Sequence, residues 1–134
     1  MIVIDASALA KFVLKENGWE QVAEHLKAGT MSVDHIVKEV ANVIWRRFKE
    51  EAASLEESEI MLNALKEIVE SAVKVEGELA YLDGAAEIAF NQGITIYDSL
   101  YISMAKEKRL ELLTADDTQA RVASAENVAT ILLE

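Results

Sequence analysis

Asp5 directly follows the apolar run at residues 2–4, and Asp116 and Asp117 follow residues 110–114 in the same way. Asp98 comes after the short apolar stretch 94–97, while Glu39 stands inside a helical pattern, near Ile36 and Val43. A carboxylate between a strand and a helix is ordinarily an N-cap, accepting from unpaired backbone N–H groups. Asp5, Asp98 and Asp116 each read that way when taken alone. Capping and metal ligation are nevertheless compatible, because a carboxylate has two oxygens. Glu39 alone reads as part of a solvated helix face, shared with His35, Asn42 and Arg46. His25 and His35 read as surface or rim residues, since neither has a second His at metal spacing. The combination points elsewhere. If these four acids converge, their charges repel unless a cation sits among them. Hard divalent cations take oxygen ligands, and Mg²⁺ keeps several waters in its shell. Such an ion activates water and offsets the charge on a phosphodiester.

The elements that must position these acids follow from hydrophobic periodicity. Residues 2–4 are β-branched or apolar and read as a buried strand. Helical pieces follow at 8–14 and 20–26, then a brief strand at 31–33. Residues 34 to about 51 are strongly helical, with Val37, Val40, Ala41, Ile44 and Phe48 on one face. Ser54 and Glu57 form a capping box that opens the next helix, which should pack antiparallel on its predecessor. A strand at 73–75 and a helix at 79–91 follow, and Gly93 stands at the C-terminal cap position. Asp98 is expected to open a helix to about residue 108. A strand at 110–114, a helix from Asp116 or Asp117 and a last strand at 128–133 complete the chain. Short apolar strands alternating with helices imply an α/β sandwich with a mainly parallel sheet. Ligand sites in such sheets lie beyond the carboxyl ends of the strands, so Asp5 and Asp116 aim at one edge. With no repeat or linker, residues 1–134 read as a single domain.

Composition limits what this edge can do. The 134 residues are 51% hydrophobic, enough for a proper core, and five Gly with no Pro favour short connections. Without cysteine there are no disulfides, thiolate metal sites or cysteine nucleophiles. No basic leader and no run of about 20 apolar residues is found, so a cytoplasmic protein with no membrane partner is expected. The net charge of -11 opposes nucleic-acid binding, which rests on Lys and Arg displacing counterions. Bound cations or a local basic patch would have to overcome it.

At these residues the chain resembles the PIN-domain family, and within it the VapC-type toxins of prokaryotic toxin–antitoxin pairs. Four segments match in order across the length: Ile2-Val-Ile-Asp5-Ala-Ser7, Val37-Lys-Glu39-Val-Ala-Asn42, Ile96-Tyr-Asp98-Ser-Leu-Tyr101 and Leu112-Leu-Thr114-Ala-Asp116. The resemblance implies a three-layer sandwich with a short, five-stranded, mainly parallel sheet flanked by helices, commonly a homodimer. It implies Mg²⁺- or Mn²⁺-dependent cleavage of RNA and a cognate antitoxin that occupies the cleft. Carried over, Asp5, Glu39 and Asp98 would hold the main metal, Asp116 would complete the pocket, and Ser7, Asn42 and Thr114 would be polar support. The Thr-x-Asp phasing favours Asp116 over Asp117 as the inward carboxylate. Lys11, Lys15, Arg46, Arg47 and Lys49 are the candidates for a path that brings RNA to the site.

Two rival enzymes fit poorly. A phosphoaspartyl enzyme of the haloacid dehalogenase type needs a second Asp where Ser7 stands, and a receiver domain pairs its acids after the first strand. The remaining alternative is a catalytically silent module of the same fold whose role is protein–protein interaction, because a complete ligand set does not prove turnover.

Overall fold

The computed structural model describes residues 1–134. Five strands, β1 (Ile2–Ile4), β2 (Thr30–Val33), β3 (Val73–Glu76), β4 (Leu112–Thr114) and β5 (Thr130–Leu132), form one sheet in the order β3-β2-β1-β4-β5. All four pairings are parallel. Every residue of β2 and β4 is buried, as expected where a parallel strand is covered on both faces. The Ser32 hydroxyl inside β2 avoids an unpaired burial by donating to the Ile4 carbonyl at 2.7 Å.

Seven helices connect the strands: α1 (Ala6–Val13), α2 (Trp19–Ala28), α3 (His35–Lys49), α4 (Leu55–Ser71), α5 (Leu82–Gln92), α6 (Ile96–Lys108) and α7 (Asp117–Ala125). The chain moves outward from β1 to β3, returns across the sheet to β4, and ends at β5. Right-handed crossovers therefore put α1–α4 on one face and α5–α7 on the other. Consistent with this, α1 packs on α2 and α3, α3 on α4, and α5 on α6. The direction of winding reverses between β1 and β4. Such a switch point opens a crevice at the carboxyl ends of the two strands. Thirty buried apolar residues fill the core, among them Ile4, Leu9, Ile36, Ile44, Ile102 and Leu113.

Several element boundaries differ from the periodicity reading, for local reasons. Asp98 does not open α6. Thr95 is its N-cap, and the Thr95 hydroxyl accepts from the Asp98 N–H at 3.2 Å, which places Asp98 in the first turn. The stretch expected as one helix from residue 79 begins with a 3-10 turn, Glu78–Tyr81, before α5. Strands β4 and β5 are shorter than the apolar runs around them. The Ser54–Glu57 capping box is present with both of its hydrogen bonds, and Gly93 caps α5 in the left-handed region. No helix is long and apolar enough to cross a membrane.

Candidate active site

Asp5 leaves β1 at the switch point and is buried, 3% exposed. Its Oδ1 caps α1 by accepting the Ala8 N–H at 3.0 Å and takes the Ser7 hydroxyl at 2.7 Å. The Ser7 hydroxyl lies 3.2 Å from that of Thr114. Ser7 also accepts the Ala115 N–H at 2.9 Å, and Thr114 accepts the Asp116 N–H at 3.1 Å. These contacts tie the end of β4 to the acid at the end of β1. Burial pushes the Asp5 carboxyl up from 3.8 to about 6, against the Thr114 and Ser7 hydroxyls and the Ala8 N–H, with Asp98 adding repulsion.

Glu39 enters from α3. Its Oε1 accepts the Tyr101 hydroxyl at 2.6 Å and lies 3.2 Å from His35 Nε2. Burial and then the neighbouring Glu39 raise the Tyr101 phenol far above its ordinary range, so it remains a proton donor. From the first turn of α6, Asp98 is raised by partial burial and then by the charges of Glu39 and Asp116, opposed by Thr95 and His35. Asp116 caps α7 through Oδ1, which accepts the Gln119 N–H at 3.0 Å. Gln119 in turn donates to the Asp98 backbone carbonyl at 2.9 Å and ties α7 to α6.

Asp5, Glu39, Asp98 and Asp116 line one cleft of about 160 Å³, with Ser7, Tyr101 and Gln119 in its wall. That volume holds several waters. In Glu39 and Asp116 the protein's donors converge on one carboxylate oxygen and leave the other without a protein donor. No Lys or Arg forms an ion pair with any of the four. Oxygen donors with uncompensated negative charge suit a hard divalent cation, and His35 is the one group of opposite tendency beside them. The carboxylates do not form a ready-made cage, since no three His, Asp or Glu side chains meet the spacing of a metal site. Ligation would require side-chain rotation within the cleft, which like charges in close company would otherwise resist.

Other residues singled out by sequence are distributed more widely. Asn42 and Arg46 line a neighbouring groove rather than the acidic cleft. Lys11 Nζ donates to the Asn17 carbonyl at 3.0 Å, and Lys15 Nζ lies 4.1 Å from the centre of the Trp19 ring, so both are engaged on the α1–α2 side. Arg47 pairs with Glu16 at 3.5 Å. Asp117 is exposed as the first residue of α7 and does not line the cleft. His35 is not a rim residue: it is 7% exposed, stacked against Tyr97 at 4.8 Å. Tyr101 and Gln119 were not singled out by residue type. Their signal was position, three residues after Asp98 and after Asp116, where a helix presents the same side.

The PIN domain family model matches residues 2–125. Ribonuclease VapC3 of Pyrobaculum aerophilum is 31% identical over 117 residues, covering 86% of this chain and 88% of that protein. Among solved structures, PAE2754 from Pyrobaculum aerophilum has a TM-score of 0.72 at 21% identity, covering 96% of this chain and 89% of that one. VapBC2 from Rickettsia felis, solved bound to a DNA fragment from their promoter, has a TM-score of 0.67 at 14% identity over the whole of both chains. At such identities the structural likeness speaks to fold alone. The family match over nearly the whole chain and the relative at 31% identity make this protein a member of the PIN domain family.

Proposed function

We propose that the protein is a ribonuclease dependent on Mg²⁺ or Mn²⁺, hydrolysing RNA phosphodiester bonds as the toxin of a toxin–antitoxin pair. The observation that carries this reading is the cleft itself: four carboxylates from four elements face one space with no Lys or Arg among them. The ribonuclease name of the relative at 31% identity supports the substrate class. The toxin–antitoxin role draws on that relative and on the family resemblance, which also implies a cognate antitoxin over the cleft and a homodimer.

Asp5, Glu39, Asp98 and Asp116 would hold the cation through their carboxylate oxygens. When bound, it supplies charge neutralisation for the scissile phosphate and an activated water for in-line attack. The chain's own residues fix the orientation of the acids. The Ser7 and Thr114 hydroxyls hold Asp5, the Tyr101 hydroxyl holds Glu39, and Gln119 holds the α6 backbone at Asp98. A phosphodiester entering this cleft without the cation would meet only negative charge. The metal is therefore a condition of substrate entry as well as of reaction.

Calorimetric titration of Mn²⁺ into the protein and its Asp5→Asn variant, followed by RNA cleavage with Asp98→Asn, tests this. We expect Mn²⁺ binding that is lost with Asp5→Asn, and metal-dependent cleavage that is lost in a folded Asp98→Asn protein. Absence of Mn²⁺ binding to the unaltered protein would overturn the reading and leave an interaction module of the same fold.

A further inference from the structure

A second groove, of about 370 Å³, runs along α3 beside the acidic cleft and shares Glu39 and Val43 with it. Its walls differ in kind from the cleft. Asn42 lies seven residues after His35 and four before Arg46 along α3, with Lys38 also in the lining, and Tyr97 from α6 completes it. Tyr97 is 62% exposed although it is aromatic. One ring face is stacked on buried His35, with planes 12° apart, so the ring is a backed platform with its other face free. Arg46 has no ion-pair partner, and Lys38 has only a 3.9 Å contact with Glu78. An aromatic platform beside an unpaired arginine and an exposed lysine is the equipment with which proteins hold single-stranded nucleic acid.

Resting on the ribonuclease reading, we propose that this groove is a nucleotide subsite, in which a base beside the scissile phosphate stacks on Tyr97 while Arg46 and Lys38 hold the adjoining backbone phosphate. The arrangement answers the problem posed by a net charge of -11. The cleft takes the scissile phosphate through its cation, and attraction for the rest of the strand is concentrated on one face of α3. Because stacking accepts any base, this subsite gives affinity and register with little sequence preference. Specificity must then arise elsewhere along the strand.

The simpler role for Tyr97 is to cover His35. Tyr97→Leu separates the two, because leucine keeps the cover and has no π face, whereas Tyr97→Phe keeps both. The probe is a fluorescent single-stranded oligonucleotide with 2′-O-methyl groups, read by anisotropy in Mn²⁺ and checked on a denaturing gel to be uncut over the titration. Tyr97→Leu is expected to weaken binding about tenfold or more, and Tyr97→Phe to bind as the unaltered protein does. Strands with one abasic position, moved along the sequence, should reproduce the loss at a single place and lose nothing further with Tyr97→Leu. Arg46→Ala should reduce the slope of log K against log salt by about 0.7. Calorimetric Mn²⁺ binding should be unchanged in all of these variants. If they bind the strand as well as the unaltered protein, which still cleaves RNA with Mn²⁺, the subsite is wrong and the ribonuclease reading stands. An unaltered protein that binds neither Mn²⁺ nor the strand overturns both. If Tyr97→Leu changes sedimentation but not strand binding, the groove is a contact between copies of the chain, and the subsite is overturned.

Discussion

At Asp5, capping, burial and candidate ligation meet in one side chain, and its proton affinity follows from that. With its carboxyl raised from 3.8 to about 6, the folded state binds a proton more tightly than the unfolded chain. The stabilisation from that proton is fully present below about pH 3.8, falls as pH rises, and is gone above about 6. Asp5→Asn keeps an Oδ1 acceptor for Ser7 and Ala8 and removes the charge. In the presence of a chelator it should stabilise the fold at pH 7.5, by up to about 3 kcal/mol, and much less at pH 4.5. Urea unfolding at the two pH values checks this, and equal gains at both would refute a buried, raised carboxyl. Tyr101 gives a second residue-scale prediction. Tyr101→Phe removes the hydroxyl that orients Glu39 and should lower Mn²⁺ affinity about 10- to 100-fold, as loss of a ligand's supporting bond commonly does, with the fold retained. Calorimetry beside circular dichroism decides it, and undiminished affinity would remove Glu39 from the ligand set. The four acids were legible because charge at a strand's end or on a helix's polar edge is visible in one segment. His35 was not, since its burial comes from Tyr97 and Glu78 on other elements. The same holds for Tyr101 and Gln119, whose partners lie 62 and 21 residues away.

Elements place these residues through a few close contacts, and the packing of α5 on α6 is the one most exposed to test. A Cβ built on Gly84 would come within 2.6 Å of Ser103 Oγ, which donates to the Tyr81 carbonyl at 3.0 Å. Gly84→Ala therefore opposes two effects. It gains roughly 1 kcal/mol of helix propensity and displaces a buried hydroxyl from its partner, at a cost of about 1–3 kcal/mol. We expect net destabilisation of about 1 kcal/mol. Adding Ser103→Ala removes the clashing oxygen, leaving Cβ at 3.7 Å as the nearest atom, and should restore stability to that of the unaltered protein or better. A double-mutant cycle of chemical melts reads this coupling, and additive effects would mean that α5 simply moves away. Helices and strands themselves were legible from periodicity, down to the Ser54–Glu57 box. The start of α6 departs from the periodicity reading because Thr95-Ile-Tyr-Asp98 carries the same hydroxyl-to-acid spacing as that box, with the hydroxyl and not the acid as the cap. A hydroxyl three residues ahead of an acid was the better guide.

For the whole molecule, the decisive feature is the reversal of winding between β1 and β4, which brings Asp5 and Asp116 from sequence positions 111 residues apart to one crevice. Strand order was beyond local sequence patterns, because each strand is only three or four residues long and pairing register depends on which helices cover it. The same fold concentrates negative charge on a chain already at -11, so electrostatic repulsion should act at two ranges. The long-range part is screened by any salt, while repulsion within the cleft yields only to an ion that enters it. Thermal melts separate the two. NaCl should raise Tm modestly and alike in the unaltered protein and in Asp98→Asn. Mn²⁺ at matched ionic strength should raise Tm further, by roughly 10 °C at a hundredfold excess over Kd, in the unaltered protein alone. Equal shifts in both proteins would show that Mn²⁺ acts on surface charge generally, and the convergence of the four acids would then have no consequence for stability.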